Sequence, residues 1–230
     1  MNQKTLLEIL QSREDLSDYV FHFTKGRNAK DILVNILCDG SIKDINKKGY
    51  ICFSETPIPM LPSMFRLFKR YDDPLYAPYG IGIKRNMLYD VGGRPVIYGV
   101  NEERALIPPE LQWRFVPLYP DCYDFSWLRE WRIPVTEFRL TYNNCFVVVD
   151  TEKDSNSMEE LFLKLDDIDI DAQPEDGGIH TEYFGNFTRN YKVVVMEEIE
   201  RANRIDKKQL ENILNEQDNQ FGRLLGSTWE

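Results

Sequence analysis

Histidine is nearly missing from this chain: His22 and His180 are the only two in 230 residues. Without an H-E-x-x-H pair, zinc-dependent hydrolysis has no ligand set on which to build. The four cysteines, Cys38, Cys52, Cys122 and Cys145, lie far apart, with no C-x-x-C pair and no histidine at ligand spacing, so no metal is expected. Dispersed thiols suit a reducing compartment, and a cytoplasmic location is the expectation. The phosphate-cradling G-x-x-x-x-G-K-[ST] loop is absent, as are G-x-G-x-x-G and G-x-S-x-G; 80-GIG-82 has no third glycine after it. No apolar run approaches the roughly 20 residues of a membrane span, so no membrane partner is expected. The opening MNQKTLLEILQSREDL lacks the basic-then-apolar order of a signal peptide and reads as a short amphipathic helix.

What is present is a chain rich enough in apolar residues to fold, with 42% hydrophobic and 13% aromatic residues. Its length suits one domain, expected over 1–230 with a core at about 19–150 and an acidic extension at 151–230. The net charge of −10 is unevenly spread. Residues 1–100 carry 14 Lys+Arg against 11 Asp+Glu, whereas 101–230 carry 14 against 27. An acidic protein repels polyanions on average, so only the mildly basic first half offers an anionic ligand an attractive field.

Periodicity supplies the elements. Tyr19–Thr24 alternates as a strand, and Ile32, Leu33, Ile36 and Leu37 then recur at helical spacing until Asp39-Gly40 stops them. Further strands are expected at 49-GYICFSE-55, 79-YGIGIKRNMLY-89, 94-RPVIYGV-100, within 127-WLREWRIPV-135, at 145-CFVVVD-150 and at 192-KVVVME-197. Helices are expected at 63–71, where Ser63 can cap, at 158–165 and at 206–216, with irregular or helical packing over the proline- and aromatic-rich 105–125. The ten acidic residues of 152–176 read as a surface excursion. The fold class is α+β, with mixed, mostly antiparallel central sheets and peripheral helices, because no βαβ alternation supports a doubly wound sheet.

Three separated segments carry a pattern. The first, 21-FHFTKGRNAKDILVNILCDGSI-42, sets a histidine two residues before a threonine and a helix; the second is 49-GYICFSETP-57; the third, 128-LREWRIP-134, embeds Glu130 among bulky residues. In this order they resemble the ADP-ribosyltransferases, in particular the poly(ADP-ribose)-polymerase-like group and the bacterial DarT-type toxins, and 79-YGIGIKRNMLYDVGGRPVIY-98 is similar to a DarT-type segment. The resemblance covers roughly residues 19–135. It implies an ADP-ribosyltransferase-like fold, NAD as co-substrate, and transfer of ADP-ribose to a macromolecular acceptor, nucleic acid or protein. It also implies a toxin or anti-phage, abortive-infection role, with an antitoxin protein as a possible partner.

The same resemblance assigns catalysis to Glu130 and His22, and NAD contacts to His22, Thr24, Phe53 and Ser54. His22 would meet a ribose hydroxyl, Thr24 the nicotinamide amide, and Phe53 would form an apolar wall. Arg85 or Arg94 would pair with the pyrophosphate, since a guanidinium grips phosphate oxygens two at a time. Breaking the nicotinamide–ribose bond develops positive charge on the sugar, which a fixed carboxylate stabilises. The family's second aromatic falls on Phe65, Phe68 or Tyr71, and Leu128 replaces the first acid of E-x-E, which disfavours arginine as the acceptor.

Taken without the resemblance, the residues admit plainer roles. His22 would bond a backbone carbonyl in the core, Glu130 would pair with Arg129 or Arg132, Glu55 would close the turn before Pro57, and Arg94 would end a hairpin. A nucleotide-binding regulatory or antitoxin-like module without turnover is the alternative function, and a nuclease using Glu55, Glu130 and His22 a weaker third.

Overall fold

A computed structural model describes residues 17–119, 125–141, 143–165, 169–171, 182–184 and 191–204. The expected helices at 1–16 and 206–216 lie outside the described residues.

The core is one seven-stranded sheet. β1 (Tyr19–Phe23) lies at its centre, and β2 (Ser41–Lys43) stands apart in a small two-stranded sheet. β3 (Ile51–Ser54) and β4 (Gly80–Lys84) flank β1, both antiparallel to it. β5 (Arg94–Pro95) is an edge strand, whereas β6 (Ile97–Gly99) and β7 (Phe115–Pro117) form a separate parallel pair. β8 (Glu130–Ile133) joins β3 to β5, and β9 (Glu137–Arg139) pairs with β2. β10 (Cys145–Val149) adds to β4; after the small β11 (Asp169–Asp171) and β12 (Glu182–Phe184) pair, β13 (Lys192–Val195) adds to β10 as the one parallel neighbour in the large sheet. The spatial order is β13-β10-β4-β1-β3-β8-β5. The class is therefore α+β with a mostly antiparallel sheet.

Helices cover both faces. On the first face, α1 (Ala29–Asp39) buries Ala29, Leu33 and Leu37, the inward side of the helical pattern, and Gly40 at φ +64° stops it by donating back to Ile36 and Leu37. α1 packs with Met158 and Phe162 of the later helix α4 (Glu152–Leu165) onto Val20, Ile51, Phe53, Ile81, Ile83, Trp131, Ile133, Val147 and Val149. Fully burying such a side chain contributes about 1.5–3 kcal/mol. On the second face, α2 (Leu61–Phe68) presents Leu61, Met64, Phe65 and Phe68 to Phe21, Phe23, Val148 and Leu128, and Met196, at the start of α5 (Met196–Ala202), joins them. α3 (Arg85–Asp90) sits between β4 and β5 with Leu88 fully buried.

Close packing explains one sequence feature. A Cβ on Gly82 would lie 2.2 Å from the ring tip of Phe146, and Phe146 is its register partner on β10. Its ring packs edge-on against Tyr19 and Phe21. The glycine at 82 is what lets this aromatic cluster lie flat on the sheet.

Some expectations give way. The strand expected over 79–89 ends at Lys84, and the chain turns into α3, whose six residues are too few to show a period. The segment 94–100 splits between two sheets. Ser63 lies inside α2, which begins at Leu61, and its hydroxyl accepts from Arg66 rather than capping. α4 starts at Glu152, earlier than 158, and one residue of the acidic run is drawn inward. Asp154 takes Lys30 Nζ at 2.7 Å, Tyr79 Oη at 3.1 Å and Thr151 Oγ1 at 2.8 Å, tying α4 to α1 and to the residue that leads into β4.

Candidate active site

The register decides which side chains can meet. Phe21 faces Ser54 across β1 and β3, and Ser54 faces Glu130 across β3 and β8. Opposed residues share a face, and successive residues alternate. Cys52, Ser54, Glu130 and Arg132 therefore line the α2 face. His22, Phe53 and Trp131 point the other way, toward α1.

Glu130 opens β8 after a tight turn. Arg129 adopts φ +46°, a left-handed conformation that costs a non-glycine residue about 1 kcal/mol or more. The end of β3 clamps that turn: the Ser54 hydroxyl donates to Leu128 O at 2.7 Å, and the Glu55 amide donates to Leu128 O and Arg129 O at 3.0 and 3.2 Å. The Thr56 hydroxyl then donates to Ser54 Oγ at 2.8 Å. On the other side, Val96 N donates to Glu130 O at 2.9 Å and Glu130 N to Tyr98 Oη at 3.2 Å. Both flanks of the Glu130 backbone are held.

Its carboxylate is held as well. Arg132 Nε donates to Glu130 Oε1 at 2.7 Å, with the two side chains 10% and 19% exposed. The remaining reach of Arg132 is spent on Trp113 O at 2.7 Å, Phe115 O at 3.1 Å and the face of Tyr50, 4.3 Å from its ring centre. Burial opposes the Arg132 charge, but the Glu130 carboxylate outweighs it and raises the guanidinium above its usual range. The Cys52 thiol is pushed up to about 12, first by burial, then by the charge of Glu130 and a hydrogen bond to it. The Tyr76 phenol is driven up by burial first and then by Glu130 and Cys52. The Cys52 thiol thus hydrogen-bonds to the carboxylate, and the Tyr76 phenol lies within reach of its charge.

An aromatic wall continues from there. Phe68 contacts Tyr76 at 5.4 Å between ring centres and stacks on Trp127 at 6.3 Å; Tyr71 is 6.4 Å away. Trp127 and Tyr71 are exposed. A fixed carboxylate beside a partly open aromatic surface can stabilise positive charge on a ligand laid against the rings.

The other expected residues fall elsewhere. His22 donates Nδ1–H to Cys52 O at 2.9 Å and meets the Phe53 ring edge-on at 5.8 Å, while burial lowers its basicity, which keeps the ring neutral. This is the core role that the residue has by itself, and on the opposite face it cannot share a cleft with Glu130. Thr24 is buried, with its hydroxyl between Ala29 O and Tyr79 O at 2.8 and 2.9 Å, so no nicotinamide amide can reach it. Phe53 is 2% exposed and packs edge-on to Phe138, a core residue rather than a wall. Ser54 shapes the turn before Glu130 with a hydroxyl already bonded.

Arg85 pairs with Glu55 at 2.5 Å on the α1 side, away from Glu130, so Glu55 does not serve the turn before Pro57 through its side chain. Arg94 lies 4.0 Å over the Tyr89 ring and donates to Tyr89 O and Gly93 O, which consumes it structurally. Of the expected residues, only Ser54 comes together with Glu130, while His22 and Phe53 meet on the opposite face. The Glu130–Arg132 pair is the plainer role that the sequence offered for Glu130; Cys52, Tyr76 and Tyr98 were missed, although a period-two signal marks Cys52, since 51-ICFS-54 and 130-EWRI-133 each alternate polar with apolar residues.

Among the described residues, no three His, Cys, Asp or Glu side chains converge to hold a metal ion, and no helix is long and apolar enough to cross a membrane. No family model, curated protein or solved structure matches the chain.

Proposed function

We propose that the chain is an NAD-consuming enzyme with an ADP-ribosyltransferase-like sheet, transferring ADP-ribose to a macromolecular acceptor through Glu130. The observation that supports this is the Glu130 carboxylate itself, half-buried at the start of β8, oriented by Arg132 and Cys52 and within electrostatic reach of Tyr76. In the reaction the bond between the nicotinamide nitrogen and ribose C1′ breaks, and its electron pair leaves with nicotinamide. The carboxylate stabilises the positive charge left on the sugar, and an acceptor nucleophile bonds to C1′ and releases its proton to water. His22, Thr24 and Phe53 have no part in this reading. Nor do Arg85 and Arg94, so the pyrophosphate must find other donors.

A nucleotide-binding module without turnover is the second reading. It is favoured by the existing ion pair, which already satisfies Glu130 Oε1 without a ligand. Incubation with labelled NAD and cell lysate, followed by nuclease or protease digestion, separates the two. Transfer should fall about a hundred- to a thousand-fold in Glu130→Gln, the typical loss for one preorganised electrostatic group. Saturable NAD binding with no label in any fraction supports the module. Transfer that is indifferent to Glu130→Gln refutes the assignment of Glu130.

A further inference from the structure

On the sheet face opposite Glu130, a recess of about 490 Å³ opens between α3 and the β5–β8 edge, lined by Glu55, Arg85, Asn86, Tyr89, Pro95 and Trp131. Its floor is an ordered ion pair. Glu55 Oε1 accepts from Arg85 at 2.5 Å and Oε2 accepts from Trp131 Nε1 at 2.7 Å, with the Arg85 and Glu55 side chains 26% and 13% exposed. Both carboxylate oxygens are thus anchored, and they hold the guanidinium still.

The donors exceed what this pairing uses. Arg85 spends one amino nitrogen on Glu55, and its Nε–H and second amino group have no protein partner among the described residues. The Asn86 side-chain amide has none there either, and it lies at the rim. Arg94, seated over the Tyr89 ring at 4.0 Å, adds a second positive charge next to the recess. Glu55 and Arg85 are the two charged residues of the lining, so the recess itself holds one ordered ion pair and the donors that this pair leaves over. The walls are Tyr89, Pro95 and the indole of Trp131, which are flat and largely apolar.

We infer that this recess binds a small organic anion, a flat apolar ring carrying one carboxylate or phosphate, with the oxyanion on Arg85 and Asn86 and the ring between Tyr89, Pro95 and Trp131. A fixed guanidinium takes an oxyanion with little further loss of side-chain freedom, because Glu55 has already ordered it. The site does not depend on the NAD reading. It lies back to back with Glu130, since Ser54 and Glu55, and Glu130 and Trp131, are consecutive residues that point to opposite faces.

Titration calorimetry on the full chain tests it, using benzoate against neutral benzamide and adenosine 5′-monophosphate against adenosine. At least one anion should bind saturably, and its neutral counterpart should bind about tenfold more weakly or worse, as expected for losing hydrogen bonds to a charged group. Whichever anion binds names the oxyanion. Arg85→Met should lose about tenfold or more, and Tyr89→Ala, at a half-exposed position, should lose affinity while leaving the ion pair in place. Glu130→Gln should bind as wild type does, which keeps this test separate from that of the transfer reaction. The inference is overturned if neither anion binds, if Arg85→Met binds like wild type in a chain that melts normally, or if Glu130→Gln abolishes binding.

Discussion

Replacing Arg132 by leucine removes the cation that holds Glu130, and the structure lets the cost be worked out. The variant loses the 2.7 Å bond to Glu130, the bonds to Trp113 O and Phe115 O, and the packing on Tyr50. Breaking a buried ion pair by removing one partner costs about 3–5 kcal/mol, and the 19% exposure of Glu130 reduces this to about 2 kcal/mol through solvent screening. Two carbonyls deprived of their donor add about 1–2 kcal/mol, partly offset by burial of the leucine. The net expectation is about 3 kcal/mol, or a fall of roughly 6–12 °C in Tm for a chain of this size. Urea denaturation of wild type, Arg132→Leu, Glu130→Gln and the double variant should show the double variant recovering about 1–2 kcal/mol relative to additivity, because the stranded charge is gone. A change below about 0.5 kcal/mol in Arg132→Leu, within the range of ordinary surface substitutions, or strict additivity, refutes the claim that this pair orients Glu130.

The native Cys52 thiol, raised to about 12, should react with iodoacetamide at pH 8.5 far more slowly than the exposed Cys38, as peptide mass spectrometry can follow; equal rates would mean that Cys52 is not enclosed beside Glu130. His22 titrates lower in the folded chain than its usual value of 6.5. Above pH 6.5 the ring is neutral in both states, and below it the unfolded chain binds the extra proton, so stability should fall as pH drops from 6.5 toward the folded value. The slope is at most about 1.4 kcal/mol per pH unit from this group, and wild type minus His22→Gln should reveal it in denaturation curves; parallel curves through that window contradict a half-buried ring kept neutral at Cys52 O. Gly82→Ala should cost about 1–3 kcal/mol from overpacking against Phe146, and Phe146→Ala in the same chain should relieve part of it, whereas a neutral Gly82→Ala contradicts the β4–β10 register.

Local signals carried far. The alternation at Tyr19–Phe23, the helical spacing of Leu33 and Leu37 and the Gly40 stop are all short-range properties, and each appears where the pattern puts it. Short or composite segments did not read so well. Arg85–Asp90 is one and a half turns of helix whose aromatic and branched neighbours look like strand, and Asp154 hides within an acidic run because its partners, Lys30 and Tyr79, are more than 70 residues away.

The candidate site shows the same division. That Glu130 stands at the head of a strand among bulky residues follows from 127-WLREWRIPV-135, and that His22 interrupts an apolar strand is visible in Tyr19–Phe23. Their separation is not visible in either segment, because the two side chains belong to strands joined only through β3. A register one residue away would have turned His22 to the α2 face. Alone, the amino-acid order determined the periodic segments that hold the strands of the large sheet, the helix α1, the mostly antiparallel class and the polar alternation that marks Cys52, Ser54, Glu130 and Arg132, since these depend on neighbours within one period. Only the tertiary structure decided that Phe21, Ser54 and Glu130 line up across three strands while His22 turns into the core, because register is set by the packing of whole faces against helices, a sum over contacts that no single segment contains.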